Sequence, residues 1–559
     1  MTAKLSKYEK RLCILLFLST MTNPLSTLST LFSHYTPDHH CKIQYPQNEF
    51  SSSNISVVSS LKNKYLEVAI PDEEPNLFGR RGMSRCYEYN MTTEKQQSVL
   101  KKLRNGTVEY ISNRSMSENI VTCKHGSTFN FKDGETSAIY EFQMFCNGNW
   151  KKTFALTLFM LGKMIGGLIG GTLSDKFGRK FVFLAFTAVQ FSTSVVIGFA
   201  TNFQVYAAMI LLCGCGGLVN YYAALTLGSE VVNKRRRNLM CACLSLGYAV
   251  GYMITPAFGY FLRNWRWYCR VTGFIGIIYI PYYWLLDESP VWLESKGKLS
   301  EAAKIRAKID QYNGKNLTKN IWENLTLNPN LTPGEGIIKS WLLIFNNCRM
   351  VIRISIVCFG WCMSSITYFA IALDTNSLSG NRFLNCFYAG LVELVAYLIS
   401  FGAVEVFGPK NIYIISMLAA SGSVIVTPFI KLWSSMAMSV VTMAGKLFVG
   451  VGFYVACIMT TELFPTSIRN SVVAVAAASS KLGGVLAPLF IYSANEGDNW
   501  IPYVVVGLFI ALSALLFLLL PKSRHQNLPR NVEEAANMKS SKLLSCCCTN
   551  HKSESLSEE

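Results

Sequence analysis

The chain has 559 residues, half of them hydrophobic and 15% charged, with a formal net charge of +18. Soluble domains carry about 25% charged residues, so this composition excludes an ordinary soluble enzyme or binding module. The basic excess sits in short stretches between long apolar runs, which excludes a continuous nucleic-acid-binding face.

Apolar runs of about 20 residues recur along the chain, each long enough to cross ~30 Å of hydrocarbon. There are twelve, at 11–33, 153–173, 180–200, 205–228, 239–262, 267–286, 351–373, 383–405, 411–432, 436–460, 471–493 and 501–520. Lipid offers backbone amides no partner, so each run predicts a helix. The chain reads as an all-α polytopic membrane protein. The first run is longer than the ~7–15-residue apolar core of a signal peptide, and no small-residue cleavage site clearly follows it. It reads as the first span, after an N-terminus of residues 1–10.

Residues 34–150 form a long polar segment holding Cys41, Cys86, Cys123 and Cys146, with sequons at Asn54, Asn90, Asn105 and Asn113. An even cysteine count beside four sequons predicts an extracellular, disulfide-bonded and glycosylated domain. Its pairing is open among three possibilities.

Basic residues gather at Lys4, Lys7, Lys10 and Arg11, in "DKFGRK" (175–180), in "NKRRR" (233–237) and across 296–319. All lie on one side if the spans alternate. The short loops "TNFQ" (201–204) and "ANEGDNW" (494–500) carry none. The positive-inside rule then places both termini in the cytoplasm, together with a 287–350 linker and a 521–559 tail. The tail is polar and serine-rich, which predicts disorder, and its "SCCCTN" (545–550) is a candidate for palmitoylation.

An internal repeat organises the rest. Glu230 stands seven residues before Arg237 and Glu462 seven before Arg469, at an offset of 462 − 230 = 232. "FGRK" at Phe177 and "FGPK" at Phe407 lie 230 apart, and "LDES" at Leu286 and "LPKS" at Leu520 lie 234 apart. Two similar six-helix halves follow, 11–286 and 351–520, a plan shared by parallel-repeat transporters.

"GTLSDKFGRK" (171–180) closes the second span and opens the third. Gly171 is expected to allow close helix approach and Gly178 a tight turn, while Asp175, Arg179 and Lys180 put opposite charges in a short loop. This predicts a latch of charge-assisted bonds that breaks when its side opens. Glu230, Arg237, Glu462 and Arg469 are its candidate members at matching ends of the fourth and tenth spans. An ordinary charged turn is the simpler alternative. No nucleophile–base constellation, phosphate-cradling loop or metal cluster is legible, so no catalytic residue, metal or cofactor is assigned. A coupling ion, sodium or proton, stays open.

The stretches "GTLSDKFGRK", "GSEVVNKRRR", "DESPVWLESKGKLSEAAKI" and "ELFPTSIRN" resemble the major facilitator superfamily and, within it, solute carrier family 22 of organic-ion transporters. The resemblance covers nearly the whole chain and includes the long loop after the first span. "VNYYAALTLGSEV" (219–231) and "VELVAY" (392–397) are most similar to the carnitine and zwitterion branch, whose tail motif survives loosely as "LPKSRHQNLP". The resemblance implies two pseudo-symmetric halves around a central site, a plasma-membrane location, and alternating access for a small organic ion. Three departures stand out. "FGPK" lacks the usual double basic end, Cys457 and Met459 replace tyrosines typical of the tenth span, and Lys163 occupies a usually aliphatic position.

Lys163, Glu393, Lys446 and Lys481 fall near the centres of spans. A charge facing lipid there costs at least ~2.5–3.5 kcal/mol, so each should face water or a partner. Lys481, in "SSKLGGVLAP" (479–488), is expected to face a central cavity. Gly483 and Gly484 are expected to remove side chains beside it, and Pro488 to break its helix. The resemblance puts Lys481 where cation carriers are acidic and anion or carnitine carriers basic, which implies a substrate carboxylate or sulfonate as partner. Glu393, with Tyr397 one turn on, suits an ammonium. Asn220, Tyr221, Lys446 and Tyr454 complete the expected substrate-binding set. The plainer alternatives are a structural Glu393–Lys446 pair, tyrosines that only pack, and a Lys163 whose glycine-bearing face (Gly166, Gly167, Gly170) packs on the other half.

The expected function is a secondary active or facilitative transporter of small organic ions. A non-transporting receptor or scaffold on the same fold, or a sugar-type facilitator, are the alternatives. Glycan mapping should find sugar confined to Asn54, Asn90, Asn105 and Asn113. The linker sequons at Asn316, Asn324 and Asn330 should stay bare, and a glycan on any of them would reverse the assigned topology.

Overall fold

The structure is a computed structural model that describes residues 6–43, 55–71, 84–104, 120–131, 134–232, 237–314, 345, 347–373, 378–464, 469–495, 500–521 and 535. The chain divides into two compact units, Tyr35–Asn149 and the remainder.

In the smaller unit, His39–Cys41 pairs antiparallel with Ser127–Phe129, and Tyr87–Tyr89 with Ile120–Thr122. Helices Ile55–Ala69 and Thr93–Arg104 share a small core of Tyr65, Ala69, Val99 and Leu100. So little apolar burial needs covalent support. The disulfides Cys41–Cys123 and Cys86–Cys146 close spans of 82 and 60 residues, worth about 4 kcal/mol each in a chain-entropy account. Asn90 is exposed. Asn54, Asn105, Asn113, Asn316, Asn324, Asn330 and the "SCCCTN" cysteines lie outside the described residues.

The larger unit is helical. Its membrane segments are α1 (Lys7–Thr27), α2 (Asn149–Phe177), α3 (Arg179–Ile197), α4 (Phe203–Val231), α5 (Arg237–Phe261), α6 (Trp265–Phe274), α7 (Cys348–Leu373), α8 (Arg382–Phe407), α9 (Pro409–Trp433), α10 (Ser435–Leu463), α11 (Arg469–Asn495) and α12 (Ile501–Phe517). Among the described residues ten helices are long and apolar enough to cross a membrane, and α12 is a shorter apolar helix. Helix ends leading to residues 34 and 149 are called outer here, and those nearer the chain termini inner.

Two segments depart from the sequence pattern, and a third, the linker, keeps the amphipathic helix that "GKLSEAAKI" (297–305) announces. The run at 267–286 is not one helix: α6 stops at Phe274, a 3-10 turn covers Ile275–Tyr279, and Tyr282–Leu285 adds one turn after Pro281. Pro281 is the N-cap of that last turn, where its missing N–H costs no ladder bond. The linker is partly ordered, with helices Pro290–Ser295 and Leu299–Tyr312. In the tail, Ala535 is buried, and its carbonyl accepts from the fully buried Arg353 of α7.

Glycines set the seam between α2 and α4. A Cβ added at Gly162 would lie 2.0 Å from the Leu211 carbonyl oxygen, and one at Gly166 2.7 Å from that of Cys215. The small-residue stripe of α2 therefore packs on α4 in its own half, not on the other half. Gly171 is not part of it, because nothing lies within 4 Å of its would-be Cβ. It is about 100° around the helix from Gly170 and faces away.

The inner ends are clamped within each half. Gly178 caps α3 with φ +103°. Arg179 donates to Glu230 from Nε at 3.0 Å and Nη2 at 2.9 Å, and its Nη2 lies 2.9 Å from Asp175. Glu288 accepts from the backbone N–H groups of Arg179 at 2.9 Å and Lys180 at 3.2 Å, a carboxylate on a helix N-terminus. The Trp292 indole donates to the Asp175 carbonyl. These bonds tie α2, α3, α4 and the linker helix together, so they clamp one half rather than hold two halves shut. The side chain of Arg237 lies outside the described residues, and Glu230 takes Arg179 as its partner.

The second half repeats the turn but not the charges. Gly408 caps α9 with φ +80°. Pro409 stands at the position matching Arg179, at 179 + 230, and Lys410 instead donates to the Leu518 and Leu520 carbonyls beyond α12 at 2.7 and 2.6 Å. Glu462 keeps a buried Oε2 with no hydrogen bond among the described residues. The side chain of Arg469 lies outside them.

Thermal unfolding in detergent should separate the two glycines of the 171–180 loop. Gly178→Ala should cost ~1–3 kcal/mol for the strained backbone, with its new Cβ also meeting Glu288. Gly171→Ala should stay within ~0.5 kcal/mol of the parent.

Candidate functional site

Glu393 and Lys446 project from the middles of α8 and α10 and are almost fully buried, at 4% and 2% exposure. An isolated charge there would cost several kcal/mol, and each has a built shell of partners. Lys446 Nζ lies 3.8 Å from Glu393 Oε2. Tyr368 of α7 donates to Glu393 at 2.7 Å, and Tyr397, four residues on along α8, donates at 3.2 Å. Lys446 donates to the Tyr252 hydroxyl of α5 at 3.2 Å and sits 4.2 Å from that ring's centroid. Tyr252 belongs to the first half, so the pair also joins the halves.

More tyrosines surround this core. The charge of Glu393 is felt at the phenols of Tyr221 and Tyr248, whose rings lie 6.0 Å apart. Tyr454 lies 6.1 Å from Tyr397. A carboxylate ringed by aromatics from both halves suits a cation, held by charge and by ring faces together. Toward the outer ends, Phe383 of α8 stacks on Phe32 at 5.9 Å and meets Tyr260 of α5 at 5.6 Å.

Lys481 of α11 is half-buried, with its ammonium 5.8 Å from the Tyr222 ring of α4. Among the described residues it makes no ion pair or hydrogen bond. Lys163 of α2 is buried between the rings of Phe159, at 4.6 Å, and Phe369 of α7, at 5.2 Å, and the charge of Lys481 reaches it. Lys163 and Lys481, from opposite halves, each meet aromatic rings, and among the described residues neither makes an ion pair.

Several expectations need correction. Asn220 does not join the set: it is buried and donates to Thr187 of α3. Adjacent helical residues point about 100° apart, so Asn220 and Tyr221 cannot share one face. Pro488 does not break its helix, since α11 runs through it to Asn495. Gly483 packs α11 on the Cys362 carbonyl of α7, while Gly484 meets Phe369 and Met160. Lys446 is the structural partner of Glu393.

Tyr248, Tyr252, Tyr368 and Glu288 were not singled out by sequence. "YAVGY" (248–252) carried a signal, two tyrosines four apart on one helical face. Tyr368 carried none, because a lone tyrosine in an apolar run reads as packing. Among the described residues one cluster has metal-ligand spacing, His39 with Cys86 and Cys146. Those two sulfurs form a disulfide and offer no thiolate.

A family model described as "Sugar (and other) transporter" matches residues 110–533. The chain belongs to this transporter family. The human "Organic cation/carnitine transporter 2" is 29% identical over 550 residues, covering 96% of this chain and 92% of the relative. "Organic cation transporter protein" from Drosophila melanogaster is 25% identical, covering 95% and 92%. These relatives and others titled as solute carrier family 22 members mark the transporter as a member of the major facilitator type. Among solved structures, a proton:xylose symporter of the major facilitator superfamily aligns with TM-score 0.54 at 14% identity, over 95% of this chain and 99% of that one. The inward-open xylose transporter from E. coli aligns with TM-score 0.53 at 16% identity, over 70% and 91%. Both share the transporter's fold.

The buried pair makes a sharp stability prediction. Lys446→Met alone should destabilise the transporter by ~3–5 kcal/mol, because it strands Glu393 in a dry site. The double variant Lys446→Met with Glu393→Gln should recover most of that loss. Unfolding temperatures of the singles and the double, read as a mutant cycle, check it.

Proposed function

We propose that the transporter carries a small organic zwitterion across the plasma membrane by alternating access, with both termini in the cytoplasm. The observation that carries this reading is the ammonium of Lys481, which makes no ion pair among the described residues and faces Tyr222 of the first half, in the same half as a tyrosine-lined Glu393. A substrate carboxylate or sulfonate answers the first, and a substrate ammonium answers the second in competition with Lys446. The titles of the relatives, which name organic cations and carnitine, support the same substrate class. Basic clusters at the inner helix ends support the orientation.

Alternating access follows from where the contacts lie. Each inner clamp stays inside its own half, while Lys446–Tyr252 and the Phe383 contacts cross between halves. Substrate that loosens the crossing contacts lowers the cost of rocking one half on the other. The coupling ion is sodium, a proton or none, and uptake of a labelled zwitterion with and without sodium separates the first from the others.

A second reading, a ligand-binding receptor that does not transport, draws on one observation: Pro409 stands where, in the first half, Arg179 clamps Glu230. Binding without accumulation would favour it.

Lys481→Asp should cut uptake of anions and zwitterions at least ~tenfold, the change that about 1.4 kcal/mol represents, and should admit some cations. Lys481→Arg should keep the anionic preference. Selectivity unchanged by Lys481→Asp, measured by competition in expressing cells, sinks the assignment.

A further inference from the structure

One midplane charge, Lys163, has no part in the ion pair or in the substrate contacts proposed above. It is 8% exposed, and among the described residues it makes no ion pair or hydrogen bond. The faces of Phe159 and Phe369 return only part of the cost of drying an ammonium. A lysine at this depth calls for an anion.

Its placement puts it at the seam between the halves. Lys163 follows Gly162, which packs on α4, so it points about 100° away from that contact. Its ammonium reaches Phe369 of α7, in the second half. Lys481 does the converse, reaching from α11 to Tyr222 of α4, in the first half. The two lysines also share one depth. A Cβ on Gly484 of α11 would lie 3.2 Å from Phe369 and 3.7 Å from Met160 of α2. Lys163 stands three residues after Met160, and Lys481 three before Gly484. Because α2 runs from outer to inner and α11 from inner to outer, both lysines lie about one turn inward of that contact. The charge of Lys481 is accordingly felt at Lys163.

These charges set the valence of the guest. Three lysines against one glutamate leave the midplane with two positive charges in excess. Glu393 already has Lys446 at 3.8 Å, so the excess belongs to Lys163 and Lys481. A zwitterion with a single negative group answers one lysine and leaves the other buried without a counter-charge. Since the two lysines face one seam at one depth, two negative charges on a single head group answer both. A phosphate monoester has them, with three acceptor oxygens to share between two ammoniums.

We infer that Lys163 is a specificity-determining residue, which with Lys481 selects substrates that join one cationic group to a phosphate dianion over those whose anionic end carries one charge. This rests on the substrate reading above and sharpens it, since the substrate cation still goes to Glu393. A head held by α2 and α11 together also draws the two halves around the guest, as alternating access requires.

The test uses purified full-length transporter in a maltoside detergent, with phosphocholine and choline sulfate as probes and thermal stabilisation as the readout. The probes share a quaternary ammonium and a tetrahedral head, but above ~pH 7 the phosphate approaches two negative charges where the sulfate has one. Phosphocholine should reach half-saturation at a roughly ten- to hundredfold lower concentration, the worth of one hydrogen-bonded charge contact. Lys163→Met, similar in length but uncharged, should erase that difference while choline sulfate still binds. Lys163→Arg should keep it. Each comparison is a ratio within one variant, so a change in stability alone does not move it. Equal half-saturation by the two probes in the parent, no stabilisation by either, or a preference that survives Lys163→Met overturns the inference. The transport reading is judged by the response of uptake to Lys481→Asp, so either can fail without the other.

Discussion

A carboxylate and an ammonium at mid-membrane depth are tolerable only when they meet, and Glu393 with Lys446 imposes that condition on four helices at once. Attraction between buried ions roughly offsets the cost of drying them. The balance is tipped by the tyrosines, since Tyr368 and Tyr397 satisfy the carboxylate and Tyr252 the ammonium. Helices α5, α7, α8 and α10 must each bring one of these groups to the same place. One of them, α5, belongs to the first half, so the register between halves is set by the same chemistry.

A pair balanced in this way is well placed to be exchanged. A substrate ammonium offers Glu393 what Lys446 already offers, and the aromatic rings accept either cation. The neighbouring cations are the opposite case. Lys163 is shielded by Phe159 and Phe369, whereas among the described residues Lys481 meets the face of Tyr222.

The two halves descend from one plan and have diverged where charge is concerned. Gly178 and Gly408 keep the same left-handed turn, because no other residue takes it without strain. Around that turn the first half builds an arginine clamp on Glu230 and Asp175, whereas the second half, with Pro409 in the matching place, anchors Lys410 on the carbonyls after α12. Geometry is shared between the halves and, among the described residues, the electrostatics is not.

By itself the sequence determined the crossings outside 267–286, the repeat of its motifs and the four midplane charges, while the motifs themselves carried the resemblance to the transporter family. Each of these is written in local terms: apolar run length, spacing, and the cost of a charge among hydrocarbon. It also pointed to Glu393 with Tyr397, since four residues along a helix is a local distance. Partner choice was not local. That Lys446 takes Glu393 and Tyr252, that Glu230 takes Arg179, and that Asn220 turns to Thr187 depend on which faces of separate helices come together. The glycines of α2 show the same limit: their spacing announced a close contact, and only packing decided that the contact was with α4.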